Sequence, residues 1–401
     1  MNKKIIFINR FFYPDHSATS LMLSDLAFYL AEQEYDVYVI CSHQSYDQST
    51  DLLPKKESIN GVTVCRITTS NFGRNWLPGR VIDYLSYFLG MGWELFQILK
   101  SNDIVVAKTD PPLTSVVTLT ISKIKGARHI NWIQDLFPEV AKALGFNNYF
   151  LTLLQRIRNW SFKHSIKTVV IGEVMKSTLL EEGLDESSIQ IIPNWSDSDI
   201  VYPVESISNP LRDIWNLRGK HIVGYSGNMG RVHEFDTIIA AANELKDNSS
   251  ITFIFIGDGP QKQHIKKQVE RLELKNVLFF PYQPYDRLSD SLSLPDIHLL
   301  SLKAEIEGYC VPSKYYGIIA TGKPSIFIGD KNGEISKIIN RDSSGLQVDC
   351  GNYSDLANQI THLFENREQL LDLSNNARIS FLEKYDKKYA MNRWRSLLEN
   401  L

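Results

Sequence analysis

Short apolar runs rich in β-branched residues alternate along this chain with longer stretches of helical period, and the alternation begins twice. Residues 5–8, 37–40, 62–67, 104–107, 130–133 and 168–171 form the first series, separated by helix-like stretches that include 21–31, 81–99, 115–123 and 174–181. Residues 221–225, 251–256, 277–280, 297–300 and 325–328 form the second, with helical stretches at 237–245, 261–272, 314–320 and 334–339. Parallel strands joined by crossover helices give this rhythm, because helices on both faces of the sheet leave the strands apolar throughout. Between the series, residues 197–218 carry Pro203, Pro210 and several Ser and Asn, the composition of a linker. The expected architecture is α/β, with doubly wound, Rossmann-like domains at 1–201 and 202–385. Ligands of such sheets bind beyond the carboxyl ends of the strands, so two such domains point to a cleft between them.

Composition narrows the function classes. With 43% hydrophobic and 22% charged residues in 401, the chain can bury a large core. A net charge of −3 gives no support to wholesale nucleic-acid binding. Cys41, Cys65, Cys310 and Cys350 form no CxxC pair and have apolar neighbours, so they read as buried thiols in a reducing compartment. Lys3 and Lys4 before an apolar run imitate a signal peptide, but Asn9-Arg10 interrupts it, and a buried first strand is the expectation. No run of 18 apolar residues is present, so no membrane span is expected; the expected location is cytoplasmic.

Three loops between a strand and a helix carry candidate chemistry. Tyr225-Ser226-Gly227-Asn228-Met229-Gly230-Arg231 has glycines that let backbone approach a ligand, with Arg231 and His233 as sources of positive charge. Gly257-Asp258-Gly259-Pro260 has the same character, and in both loops a tight structural turn would look similar. Neither matches GxxxxGK[ST] or GxGxxG, which argues against an ATPase and a dinucleotide dehydrogenase. The third loop runs from Glu307 through Tyr309, Cys310, Val311, Pro312 and Ser313 to Lys314, and ends in Ala320-Thr321-Gly322-Lys323-Pro324. Ser313 or Pro312 can open a helix there, Lys314 can add a full charge for a phosphate, and Glu307 can accept hydrogen bonds from sugar hydroxyls.

These loops in this order, with A-x-G-x-P at the end, resemble the donor half of retaining nucleotide-sugar glycosyltransferases of family 4, which have the GT-B fold. The resemblance extends to Ile192-Pro193-Asn194 and Asp197 at the domain junction, to Asn9–Pro14 at the opening strand, and to Met175, Leu179 and Gly183. It implies donor contacts from Gly227, Asn228, Arg231, His233, Gly257, Gly259, Tyr282, Gln283, Tyr309, Val311, Pro312 and Ser313. The departures are specific. Asn228 and His233 stand where the family carries an Arg and a Lys for the diphosphate, leaving Arg231 and Lys314 to supply charge. The first Glu of E-x7-E is Glu307, whereas the second, used on the ribose, falls at Gly317. His16-Ser17-Ala18-Thr19 replaces the Gly-Gly acceptor loop. Similar variants mark a bacterial surface-polysaccharide subgroup that handles deoxyamino sugars such as N-acetylfucosamine.

In the first domain, Gln134 takes the place of the family's His, and Asp135 and Glu139 remain as carboxylates. Asp135 can position the acceptor or steady oxocarbenium character, or it can simply cap the following helix. His16, Ser17, Thr19, Asp110 and Pro111 join Glu139 as acceptor-side candidates. By resemblance the donor is a UDP-sugar acting as substrate, with no cofactor and no metal, and the acceptor is a lipid-linked saccharide. Asp135, Glu307 and Lys314 are the catalytic candidates. Residues 76–99 and 149–167 interleave aromatic and basic side chains, the pattern of a helix lying in a membrane interface and equally of a helix packed on the sheet. Trp394, Leu397, Leu398 and Leu401 lie at helical spacing, and the helix 386–401 is expected to pack back on the first domain. Two other functions fit the pattern: a GT-B sugar-nucleotide epimerase, and a nucleotide-sugar binding protein without turnover.

Overall fold

The computed structural model describes residues 3–15, 17–44, 53–72, 77–146 and 149–401. The chain divides into two compact units, one of Met1–Pro193 with Met391–Leu401 and one of Asn194–Ala390. The division falls at Asn194, ahead of the Tyr202 boundary expected from composition.

The first unit is built on β1 (Lys4–Ile8), β2 (Asp36–Ser42), β3 (Lys56–Ile59), β4 (Val62–Ile67), β5 (Ile104–Lys108), β6 (Arg128–Trp132), β7 (Lys167–Val170) and β8 (Ile189–Ile191). They form one sheet in the order β3-β4-β2-β1-β5-β6-β7-β8. Every pair is parallel except β3 with β4. The physical reason is visible in the side chains. Each residue of β5 is buried, as a strand covered on both faces requires, whereas β3 leaves two of its four residues exposed and ends the sheet with Lys56 and Glu57 at its edge. The C-terminal residues complete this unit: the Trp394 ring lies 4.7 Å from that of Trp132, and both are fully buried.

The second unit contains β9 (His221–Ser226), β10 (Ile251–Ile256), β11 (Val277–Phe280), β12 (Ile297–Ser301), β13 (Ser325–Ile328) and β14 (Gly345–Val348). The sheet is all parallel, in the order β11-β10-β9-β12-β13-β14. Its core joins Val223, Tyr225, Phe253, Phe255 and Leu299 to the helix Asp236–Glu244 through Ile238 and Ile239.

In each unit the chain winds outward in one direction, returns to the centre and winds outward in the other. The reversal lies between β1 and β5 in the first unit and between β9 and β12 in the second. Loops leaving adjacent strands at such a point diverge to opposite faces and open a crevice at the carboxyl ends. The loops so placed follow β1 and β5 in one unit and β9 and β12 in the other.

Candidate functional site

In the second unit the loop after β9 meets the start of the helix Lys314–Ala320. Lys314 Nζ donates to the Tyr225 hydroxyl, lies 3.4 Å from the Asn228 carbonyl and 3.4 Å from His233 Nε2, and sits 4.0 Å from the centre of the Tyr225 ring. The Tyr225 hydroxyl in turn donates to the Asn228 carbonyl at 2.8 Å. His233 is buried, with Nδ1 2.6 Å from the Ser301 carbonyl. A carbonyl only accepts, so Nδ1 carries the hydrogen and Nε2 turns its lone pair toward the lysine. Burial, then the Lys314 charge, push His233 down to about 3. The imidazole is therefore neutral at ordinary pH. The positive charge expected of it is not available; it is an acceptor that orients Lys314. Burial also lowers Lys314 to about 7, since none of its hydrogen-bond partners is a carboxylate.

The glycines explain how these loops approach. A Cβ on Gly257, at φ +136°, would fall 2.3 Å from the Gly227 carbonyl, and one on Gly259 2.5 Å from Asn228 Oδ1. The Met229 amide donates to the Asp258 carbonyl at 2.7 Å, and Gln261 Nε2 bridges the carbonyls of Gly230 and His233 at 2.6 and 2.9 Å. Gly257 and Gly259 thus serve loop-to-loop packing, with Gly227 placed next to Lys314. Arg231 is exposed on the same loop. Tyr282 is exposed and borders Gly257, whereas Gln283 folds back onto the Pro281 carbonyl at 3.1 Å.

Glu307 projects from the loop after β12 onto the loop after β13. Gly333 lies directly against its carboxylate, where a Cβ would come within 2.4 Å of Oε1. The Glu334 amide, at the start of the helix Glu334–Asp342, donates to the carboxylate, while Oε1 is buried without a hydrogen-bond partner. Burial outweighs that amide and raises Glu307 to about 7. Val311 and Pro312 are buried between Glu307 and Lys314, with Tyr309 partly so. Ser313 precedes the helix Lys314–Ala320 as expected, but its side chain makes no capping bond.

A second charged group occupies the first unit at its own reversal point. Lys108, the last residue of β5, is buried with Nζ 2.9 Å from the Thr19 carbonyl and 3.8 Å from the centre of the Trp132 ring. Burial lowers it to about 7 against the opposing pull of Asp110, Asp135 and Asp25. Asp135 follows β6 and opens to solvent, while the protein around it, and next Asp110, push its carboxyl up to about 6. Asp135 does not cap the following helix, whose N-cap is Pro138. Thr109, Pro112, Leu113 and Phe137 line a pocket with Lys108 and Asp135. Pro111 is buried, and its carbonyl accepts from Thr114 Oγ1 at 2.6 Å. Sequence patterning does not mark Lys108, since one lysine ending an apolar strand looks like an exposed strand terminus.

Glu139 is placed differently from its expected acceptor role. Both carboxylate oxygens are held by Arg158, at 2.6 and 2.8 Å, and the same guanidinium reaches Glu182 at 2.6 Å. Glu139 is buried, so its carboxylate braces the helix Tyr149–His164. Ser17 precedes the helix Ala18–Glu32 and takes Asp15 Oδ1 on its amide at 2.8 Å. His16 lies outside the described residues, as does Trp76.

Residues 209–380 match the glycosyl transferases group 1 family. The Pseudomonas aeruginosa protein "Probable glycosyltransferase WbjE" is 29% identical over 63% of this chain and 63% of its own length. An Escherichia coli protein named for colanic acid biosynthesis glycosyl transfer, WcaI, is 28% identical over 54% of this chain and 55% of its own length. The chain thus spans less than two thirds of the length of either relative. The crystal structure of Anabaena HepE in complex with UDP and glucose superposes with a TM-score of 0.78 at 17% identity, covering 100% of both chains. That likeness shows the fold, GT-B with two Rossmann-like units. The matched residues 209–380 hold the Lys314 and Glu307 loops.

Proposed function

We propose that this chain is a retaining glycosyltransferase of family 4 that moves a sugar from a UDP-sugar to a lipid-linked saccharide in bacterial surface-polysaccharide synthesis, at the cytoplasmic face of the membrane. The observation that carries the donor half is Lys314, held by Tyr225, Asn228 and His233 at the reversal point of a group 1 domain. An ammonium there neutralises charge that grows on the β-phosphate as the glycosidic bond to the diphosphate breaks. Arg231, exposed on the same loop, adds a second positive charge. The buried Glu307 oxygen accepts a sugar hydroxyl and fixes the sugar's orientation.

In the retaining course, the acceptor hydroxyl attacks the anomeric carbon on the face the diphosphate leaves, and the departing phosphate oxygen takes its proton. Side chains, not a metal, carry the charge in this scheme, so transfer should withstand EDTA. Asp135 and Asp110, beside Lys108, are the acceptor-binding candidates. The named colanic acid relative and the UDP-bound neighbour support this substrate class. An N-acetylated deoxyhexose such as N-acetylfucosamine is the proposed sugar.

The deciding measurement is UDP release with and without a lipid-linked acceptor, for the native chain and for Lys314→Ala. Release that depends on acceptor and falls about 10²–10³-fold in the variant supports transfer. Release without acceptor indicates the epimerase alternative, and nucleotide-sugar binding with no turnover on any acceptor indicates a binding protein.

A further inference from the structure

Two helices of the first unit each carry two apolar stripes, and the core uses only one of them. In the helix Leu77–Ile98, Tyr87, Met91 and Leu95 are buried against β1, β2 and β4 through Ile6, Ile40 and Ile67. On its outer side Leu85, Leu89, Trp93 and Phe96 recur at helical spacing and are exposed, Leu89 by 76% and Trp93 by 68%. In the helix Tyr149–His164, Leu151 and Phe162 face inward, while Tyr149, Leu153, Ile157 and Trp160 recur at the same spacing on the outside. Packing on the sheet explains the inner stripes only.

The helix Thr114–Lys125 joins the two outer stripes into one face. Lys125 Nζ lies 3.9 Å from the centre of the Phe96 ring, and Lys123 Nζ lies 5.2 Å from that of Trp160. Ile124, between these lysines, is 68% exposed. Exposed apolar stripes on two helices, bridged by the lysines and Ile124 of a third, are more than the scattered exposure that soluble surfaces tolerate.

Its charge is one-sided. The helices Thr114–Lys125 and Tyr149–His164 contain no Asp or Glu, while Lys123, Arg156 and Lys163 are exposed on them. On the helix Leu77–Ile98 the two acidic residues do not reverse this: Asp83 is buried and accepts from Ser70 Oγ and the Phe72 amide, and Glu94 is half-buried. A basic, aromatic face on a chain of net charge −3 is complementary to one surface chemistry in particular, a bilayer with anionic headgroups.

We infer that the outer stripes of the helices Leu77–Ile98 and Tyr149–His164, with Lys123 and Lys125 between them, form a docking face that seats this unit on an anionic membrane surface. Among the described residues no helix is long and apolar enough to cross a membrane, so the attachment is in the interface plane. Aromatic and leucine side chains enter the headgroup boundary, and the lysines and arginines remain at its phosphates.

The test is flotation of the full chain with vesicles of phosphatidylcholine, alone or mixed with phosphatidylglycerol. The native chain should float with the mixed vesicles, stay behind with phosphatidylcholine alone, and lose binding as salt rises. A variant with Leu89→Ser, Trp93→Ser and Trp160→Ser should bind at least about tenfold more weakly, as should one with Lys123→Glu and Lys163→Glu. Unchanged UDP affinity in both variants verifies that they are folded and keeps this test separate from the donor site. No flotation with the mixed vesicles overturns the inference, as does equal flotation of native chain and variants. A dimer in solution that the first variant dissociates also overturns it, by assigning the face to a second copy.

Discussion

Lys314 Nζ and His233 Nε2 lie 3.4 Å apart, in a pairing where the imidazole is neutral and the lysine is held only by neutral groups. A nucleoside diphosphate arriving there would supply the missing negative charge and draw a proton onto the lysine. With a free-state value near 7, Lys314 is largely deprotonated above that pH until the ligand binds. UDP affinity should therefore fall as pH rises through 7, by up to about tenfold per unit while the bound-state value lies higher. Isothermal titration at pH 8 in buffers of different ionisation enthalpy should show proton uptake. Lys314→Met should abolish both the uptake and the slope, which separates this lysine from Lys108, also near 7.

Glu307 gives a pH prediction of the same sign, for stability. Its folded value, near 7, lies above its unfolded one, so the folded chain binds more protons between the two, and stability declines as pH rises across that window. Glu307→Gln keeps an acceptor for the Glu334 amide and removes the buried charge. Its melting temperature at pH 8 should exceed the native chain's by about 2–4 °C. Transfer should fall about 10–100-fold through loss of the charged hydrogen bond to sugar, with UDP affinity nearly unchanged. Scanning calorimetry and a radiolabelled transfer assay would read the two effects.

Arg158 holds two buried or nearly buried carboxylates, Glu139 and Glu182. Arg158→Ala would leave like charges facing each other away from water, at a cost of about 3–5 kcal/mol in unfolding free energy. Adding Glu139→Gln should recover part of that loss, because one stranded charge disappears. Urea unfolding of the single and double variants distinguishes this from simple loss of packing, which the second change would not repair.

Gly257→Ala puts a methyl group against the Gly227 carbonyl at a backbone conformation that L-residues rarely adopt. The loop after β9 must shift, and Lys314 loses its fixed partners. The change should cost about 1–3 kcal/mol of stability and weaken UDP binding, both measurable by thermal shift with and without nucleotide.

The loops of the candidate site were legible in the sequence. Glu307, Lys314 and the glycine loops stand at strand-to-helix junctions, which apolar periodicity locates well. Their partners were not legible. His233 appears basic in sequence and is a neutral acceptor in place, because burial decides its protonation. Glu139 appears available beside Asp135 and is held by Arg158, which comes from another helix. Lys108 looks like a strand terminus and proves to be a buried amine over Trp132 whose burial lowers its pKa to about 7.

By itself, the sequence determined the two series of parallel strands and the identity of the loops at strand ends, since burial on both faces leaves its mark residue by residue; the stretch 197–218, expected as a linker, instead belongs to the second unit and buries Leu211 and Leu217 in its core. Only the tertiary structure decided which loops meet. Strand order placed β9 beside β12, and so carried Lys314 to His233 across 81 positions of chain. Helix packing likewise decided which apolar stripe the core absorbed and which it left on the surface. Local pattern encodes how deeply a residue is buried, while proximity between distant residues follows from register and crossing, which no short stretch of chain contains.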